Sequence, residues 1–147
     1  MRWEVKSWKE LSIEEMEDVF TLRSEVFVVE QDCVYQDIDG KDRQAKHVLG
    51  KEGKELIAYS RIFEPGDYFK EASFGRAVVK KNKRGKGFGD ELVKETLKAM
   101  RKVWPKTKAK ISAQAHLSVF YNKHGFKSKG EKYLEDGILH VKMFCKL

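Results

Sequence analysis

Cysteine and proline are scarce in this chain of 147 residues, with two of each. Cys33 and Cys145 lie far apart and form no CxxC pair, which excludes a small disulfide-stapled secreted scaffold. Histidine and cysteine show no metal-ligand spacing, so no metal is expected. Long apolar runs are missing too, and the start, Met1-Arg2-Trp3-Glu4-Val5-Lys6, has no signal-peptide core. A cytoplasmic protein with no membrane partner is expected. Repeats, linkers and low-complexity stretches are lacking, so the expectation is one domain spanning residues 1–147.

What remains is an ordinary globular composition, 41% hydrophobic and 12% aromatic, with a net charge of +7. That charge favours anionic ligands and brings nucleic acid into consideration. The basic residues are interleaved with 23 acidic ones, however, and cluster tightly only beside a group of glycines. Most of the charge reads as solvated surface, with that cluster left to serve a small anion.

Hydrophobic period places the elements. Trp3 to Trp8 alternates as an edge strand. Ser12-Ile13-Glu14-Glu15 is a capping box, and Met16, Val19, Phe20, Val26 and Phe27 carry a helical stripe to about Glu30. The stretch Gln31 to Lys46 has no period and reads as a loop. His47–Leu49, Leu56–Phe63 and Ala72–Val79 read as strands, with turns at Lys51–Lys54 and Glu64–Asp67. A second helix with Leu92, Leu97, Met100 and Val103 on its buried face stops at Pro105. Ala109–Ala113 is a strand, Leu117–His124 a short helix closed by Gly125, and Gly137–Phe144 a last strand. The fold class is α/β (α+β), with more strands than helices.

Between the strand ending at Val79 and the second helix lies Lys80-Lys81-Asn82-Lys83-Arg84-Gly85-Lys86-Gly87-Phe88-Gly89. Glycines let a ligand touch the backbone, and the helix start adds unpaired N–H groups and a positive dipole end. Such a loop suits phosphate. A nucleoside-triphosphate P-loop would need Lys and Ser or Thr after its last glycine, but Asp90 and Glu91 follow Gly89. A dinucleotide fold would need G-x-G-x-x-G and an acidic residue ending the next strand, where Ser112-Ala113-Gln114 stands instead.

Arg84-x-x-Gly87-x-Gly89 between strand and helix resembles the acyl-coenzyme A signature of the GNAT superfamily of N-acetyltransferases. Phe120-Tyr121-Asn122-Lys123-His124-Gly125-Phe126 looks like the second motif of that superfamily, in the right order and separation. Leu22–Gln31, Tyr35–Asp42, Ala113–His116 and Glu135–His140 resemble its ElaA-like branch, so the likeness covers Trp8 to Met143. It implies a mixed, strongly twisted central sheet flanked by helices, with strands 4 and 5 splayed to admit the pantetheine arm. The implied activity is transfer of an acetyl group from acetyl-CoA, as cosubstrate, to a primary amine by direct attack.

The resemblance also implies roles. Ala77, Val78 and Val79 would offer backbone groups to pantetheine, one N–H polarising the thioester carbonyl; as side chains they are equally ordinary core residues. Arg84, Gly85, Lys86, Gly87, Phe88, Gly89 and Asp90 would hold the pyrophosphate. Tyr121 would protonate the departing thiolate, and its plain alternative is a packed helix aromatic. Gln114 stands where many members carry an asparagine that binds the pantetheine arm. His140, in a His-x-x-Met ending, would be the general base, with His116 and His47 as weaker candidates and Glu30 or Glu135 as substitutes through water. Cys33 is not expected to act as a nucleophile, because the family uses no covalent enzyme.

Asp37-x-Asp39-Gly40-x-Asp42 does not match an EF-hand, whose glycine stands sixth and glutamate twelfth. It reads as an aspartate-rich turn lining the acceptor site for a cationic amine, together with Arg23, Glu25 and Glu30. The acceptor stays open between small amine, amino-sugar, peptide terminus and lysine side chain. A homodimer is common in this fold. The rival reading is a non-catalytic module that binds CoA or RNA through the basic glycine loop.

Overall fold

The computed structural model describes residues 1–147. Four antiparallel strands form one half of the sheet in the order β1-β2-β3-β4: β1 Arg2–Ser7, β2 Lys46–Glu52, β3 Glu55–Phe63 and β4 Ser73–Val79. Three more form the other half, in the order β5-β7-β6: β5 Lys108–Gln114, β6 Lys127–Glu135 and β7 Ile138–Lys146. The helices are α1 Ile13–Arg23, α2 Phe88–Val103 and α3 Ser118–Asn122. No helix is long and apolar enough to cross a membrane.

Strand alternation sends neighbouring side chains to two cores. Val48, Ala58 and Ile62 join Leu92, Val93, Leu97 and Met100 of α2 and Ile111 and Met143 of the second half-sheet. Leu49, Tyr59 and Val78 pack with Val19 and Leu22 of α1. Covered on both faces, β3 is buried from Leu56 to Phe63.

The capping box forms as the sequence indicates: Ser12 Oγ accepts from the Glu15 N–H at 3.0 Å, and the Ser12 N–H donates to Glu15 Oε1 at 2.9 Å. The helical run does reach Glu30, but it widens at Ser24 into a π-helix, Ser24–Glu30, with the Gln31 N–H donating to Val26 O. Such widenings concentrate at functional sites. The third helix is shorter than its pattern suggests, being preceded by a 3₁₀ turn at Ala115–Leu117. One strand has no counterpart in the sequence expectations: β6 is an exposed edge rich in lysine, with no alternating apolar face.

The two half-sheets meet at one point. Ala72 bridges to Ala109, its N–H donating to Lys108 O at 3.1 Å while the Lys110 N–H donates to Ala72 O at 2.8 Å. Beyond this bridge β4 and β5 run parallel without hydrogen bonds and open a cleft.

Candidate active site

The cleft holds a cavity of about 550 Å³. Its β4 wall is Ala77, Val78 and Val79. The β3–β4 ladder passes from Tyr59–Val78 directly to Arg61–Gly75, so Arg76 and Ala77 together oppose Ser60. Arg76 takes φ 51°, a left-handed conformation uncommon for a side chain of its size. This bulge turns β4 backbone away from its only partner and toward the cleft.

At the wide end, Arg84, Gly85, Gly87, Phe88 and Gly89 line the cavity. Gly85 (φ 78°) and Gly87 (φ 83°) are glycine for conformation rather than space, since a Cβ on either would meet nothing within 4 Å. Gly87 is the N-cap of α2 and supplies no side chain, so the first N–H groups of a 16-residue helix stay free for an anion. The cradle therefore fits a pyrophosphate. Two residues expected there lie apart from the cavity: Lys86 is exposed, and the Asp90 carboxylate binds His124 Nε2 at 2.8 Å.

Arg84 reaches the site already engaged. Its Nη1 and Nη2 donate to Glu30 at 2.5 and 3.0 Å, and its Nε to Val79 O at 3.2 Å. Glu30 closes the π-helix, so the pair ties that helix to the glycine loop; hydrogen bonding to Arg84 lowers the Glu30 pKa. Two further contacts cross the cleft beside it. Gln114 Nε2 donates to Gln31 Oε1 at 3.3 Å, and Cys33 Sγ meets Asp136 O at 3.3 Å.

Tyr121 lines the cavity from α3, wedged among Phe74, Phe120 and Phe126. Burial pushes its phenol up to about 12. His140, buried on β7, donates from Nδ1 to Ile138 O at 2.7 Å, which assigns the free lone pair to Nε2. That nitrogen lies 3.4 Å from Glu135 Oε2. Glu135 Oε1 accepts from Ser112 Oγ at 3.2 Å, Ser112 is hydrogen-bonded to Tyr133 OH, and the Tyr133 ring stacks on His140. Ser112 and Tyr133 carry no motif that marks them in sequence; only cross-strand register brings them to His140. His116 also lines the cavity. His47 does not: it is buried between Tyr59 OH at 2.6 Å and Asp42 O at 2.9 Å, and burial lowers its pKa.

The aspartate-rich turn does not present carboxylates to a cationic acceptor. Asp37 and Asp42 bind the fully buried Arg23 at 2.8 and 2.7 Å, Asp39 and Asp42 bind Arg61, and Asp37 lies 2.8 Å from Arg76. Arg23 is likewise enclosed rather than lining the site. Two buried arginines, Arg23 and Arg61, and the half-buried Arg76 share the three carboxylates, and this demand consumes the turn.

Comparison with known proteins agrees with this geometry. Residues 10–147 match the family model described as an acetyltransferase (GNAT) domain. Protein ElaA of Escherichia coli is 40% identical over 145 residues, 97% of this chain and 95% of that one. A UPF0039 protein of Synechocystis is 38% identical over 148 residues, 100% of this chain and 96% of the other. Among solved structures, an acyl-CoA N-acyltransferase of Pseudomonas aeruginosa superposes with a TM-score of 0.93 at 36% identity, covering 99% of each chain. Escherichia coli ElaA superposes at 0.92 and 39%, covering 98% of each.

Proposed function

Because the chain belongs to the GNAT acetyltransferase family, we propose that it transfers an acetyl group from acetyl-CoA to a primary amine by direct attack, all 147 residues forming one catalytic domain. The observation that carries this reading is the cleft itself. A glycine cradle, a bulged strand with free backbone, a buried phenol and a histidine line one continuous cavity.

The α2 N-terminus and Gly85–Gly89 hold the pyrophosphate of CoA, and β4 receives the pantetheine arm on its unpaired side, with Gln114 opposite. A β4 N–H at the bulge donates to the thioester carbonyl as negative charge builds there. His140 Nε2 accepts the proton that the incoming ammonium must lose, since only the neutral amine attacks. Tyr121 donates its proton to the departing sulfur. The raised pKa suits it to that role, because the phenol stays protonated at neutral pH. Ser112 and Tyr133 orient Glu135 against His140, giving the accepted proton a route to solvent.

Release of free CoA thiol from acetyl-CoA, measured against a panel of primary amines, tests the proposal. Amine-dependent release is expected. Tight acetyl-CoA binding without release on any amine would favour a non-catalytic CoA-binding module.

A further inference from the structure

The second half-sheet has two unlike faces. Ala109, Ile111, Ala113, Val141, Met143 and Cys145 point into the core. The opposite face is set by register in four rows. The first, Gln114, His140 and Tyr133, belongs to the active site. Below it come Ser112, Lys142 and Lys129, then Lys110, Phe144 and Lys127, then Lys108 and Lys146. Five of these six lysines are exposed and Lys110 is partly so.

None of the six forms an ion pair; the lysines that do, such as Lys51, Lys80 and Lys123, lie elsewhere. Lysines directly oppose one another in two places, Lys129 across from Lys142 and Lys108 across from Lys146. Like charges in facing positions weaken a sheet. Edge protection accounts for lysines on β6 but not for those on β7, the central strand of this half-sheet. The fold thus carries a cost here that its own packing does not explain.

We propose that this face docks an acidic polypeptide whose amine enters the cavity beside His140. The proposal rests on the acyl-transfer reading and names its acceptor class. Lysine rows start about 7 Å from His140 and extend to about 20 Å along β7, the reach of an extended peptide of several residues. Nucleic acid fits the face less well. Single strands bind by stacking bases on aromatic rings, and the two aromatics that these lysines touch are both half-buried beneath them: Phe144 under Lys108, Lys110 and Lys129, and Phe69 under Lys110 at 4.3 Å. RNA also offers no alkyl amine of its own.

The test is fluorescence anisotropy with an octaglutamate peptide, its amino terminus free and its label at the carboxyl end. Octaserine and octauridylate are the comparisons. Octaglutamate is expected to bind at least about tenfold more tightly than octaserine, and to weaken steeply between about 50 and about 300 mM salt. The Lys142→Glu/Lys146→Glu double variant should lose at least about tenfold in that affinity. Its acetyl-CoA affinity, measured in parallel, should hold within about twofold as the check on folding. Lys110→Gln/Lys129→Gln gives the same readout without reversing charge. Equal binding of octaglutamate and octaserine, indifference to both double variants, or tighter binding of octauridylate would overturn the proposal. Failure of acyl transfer alone would leave the peptide affinities as described and would show separately, as absent thiol release.

Discussion

Tyr121 owes its raised pKa to burial alone, with no charged neighbour contributing. Its acid form therefore persists through the neutral and mildly alkaline range. The pH profile of kcat is expected to show no falling limb between about pH 7 and about pH 10, because the phenol still carries its proton there. Glu30 makes a second residue-scale case. Arg84 is held by the Glu30 carboxylate, with which the pyrophosphate of CoA would have to compete under the proposed function. Glu30→Gln should tighten acetyl-CoA binding by about threefold to tenfold, read by calorimetry, since a neutral amide is the weaker competitor. Weaker binding would mean that Glu30 instead positions Arg84. Sequence marks Arg84 through its motif, yet cannot show that it arrives paired, because Glu30 lies 54 residues away and meets it only across the cleft.

Among the elements, the two helix starts separate stability from function. Ser12→Ala removes the Glu15 N–H partner at the head of α1 and should cost about 1 kcal/mol in thermal unfolding, with coenzyme affinity unchanged. Gly87→Ala forces a Cβ onto φ 83° at the head of α2 and should weaken acetyl-CoA binding as well as lower Tm. The elements that the sequence declares are those with a strong local signal: the capping box at Ser12, the apolar stripe of α2, the glycine C-cap after α3. The ones it hides depend on partners. β6 is exposed and lysine-rich because it is an edge, so no apolar alternation announces it. The π-helix shares the residue pattern of the α-helix it extends, and the bulge at Arg76 depends on register with β3. Of the site, Tyr121, His140 and the glycine cradle were legible from motifs. Ser112 and Tyr133, which bear on His140 from neighbouring strands, were not. Nor was the use of Asp37, Asp39 and Asp42, which depends on the buried Arg23 and Arg61 and the half-buried Arg76 that the fold sets beside them.

For the molecule as a whole, acid is the expected weakness. Burial opposes ionisation of Glu15, but Lys51, Lys6 and the Ser12 N–H outweigh it and hold the carboxyl down to about 2. A carboxylate whose pKa falls on folding stabilises the native state above its unfolded value, and that stability is lost as pH drops toward the folded one. His47 adds to this from higher pH. Burial keeps it neutral, and the unfolded chain takes up its proton first, so stability begins to fall below about pH 6.5. Denaturant midpoints should therefore be level near neutrality and decline from about pH 6.5 downward, more steeply below about pH 4.5. A midpoint that rose on acidification would contradict this assignment.

The central claim is that the cleft performs acyl transfer with Tyr121 as its acid, and the Tyr121→Phe enzyme tests it most directly. The ring and its contacts with Phe74, Phe120 and Phe126 are retained while the proton is removed. The account predicts a fall in kcat of about a hundredfold with acetyl-CoA affinity within about twofold of the parent. Unchanged kcat would contradict it.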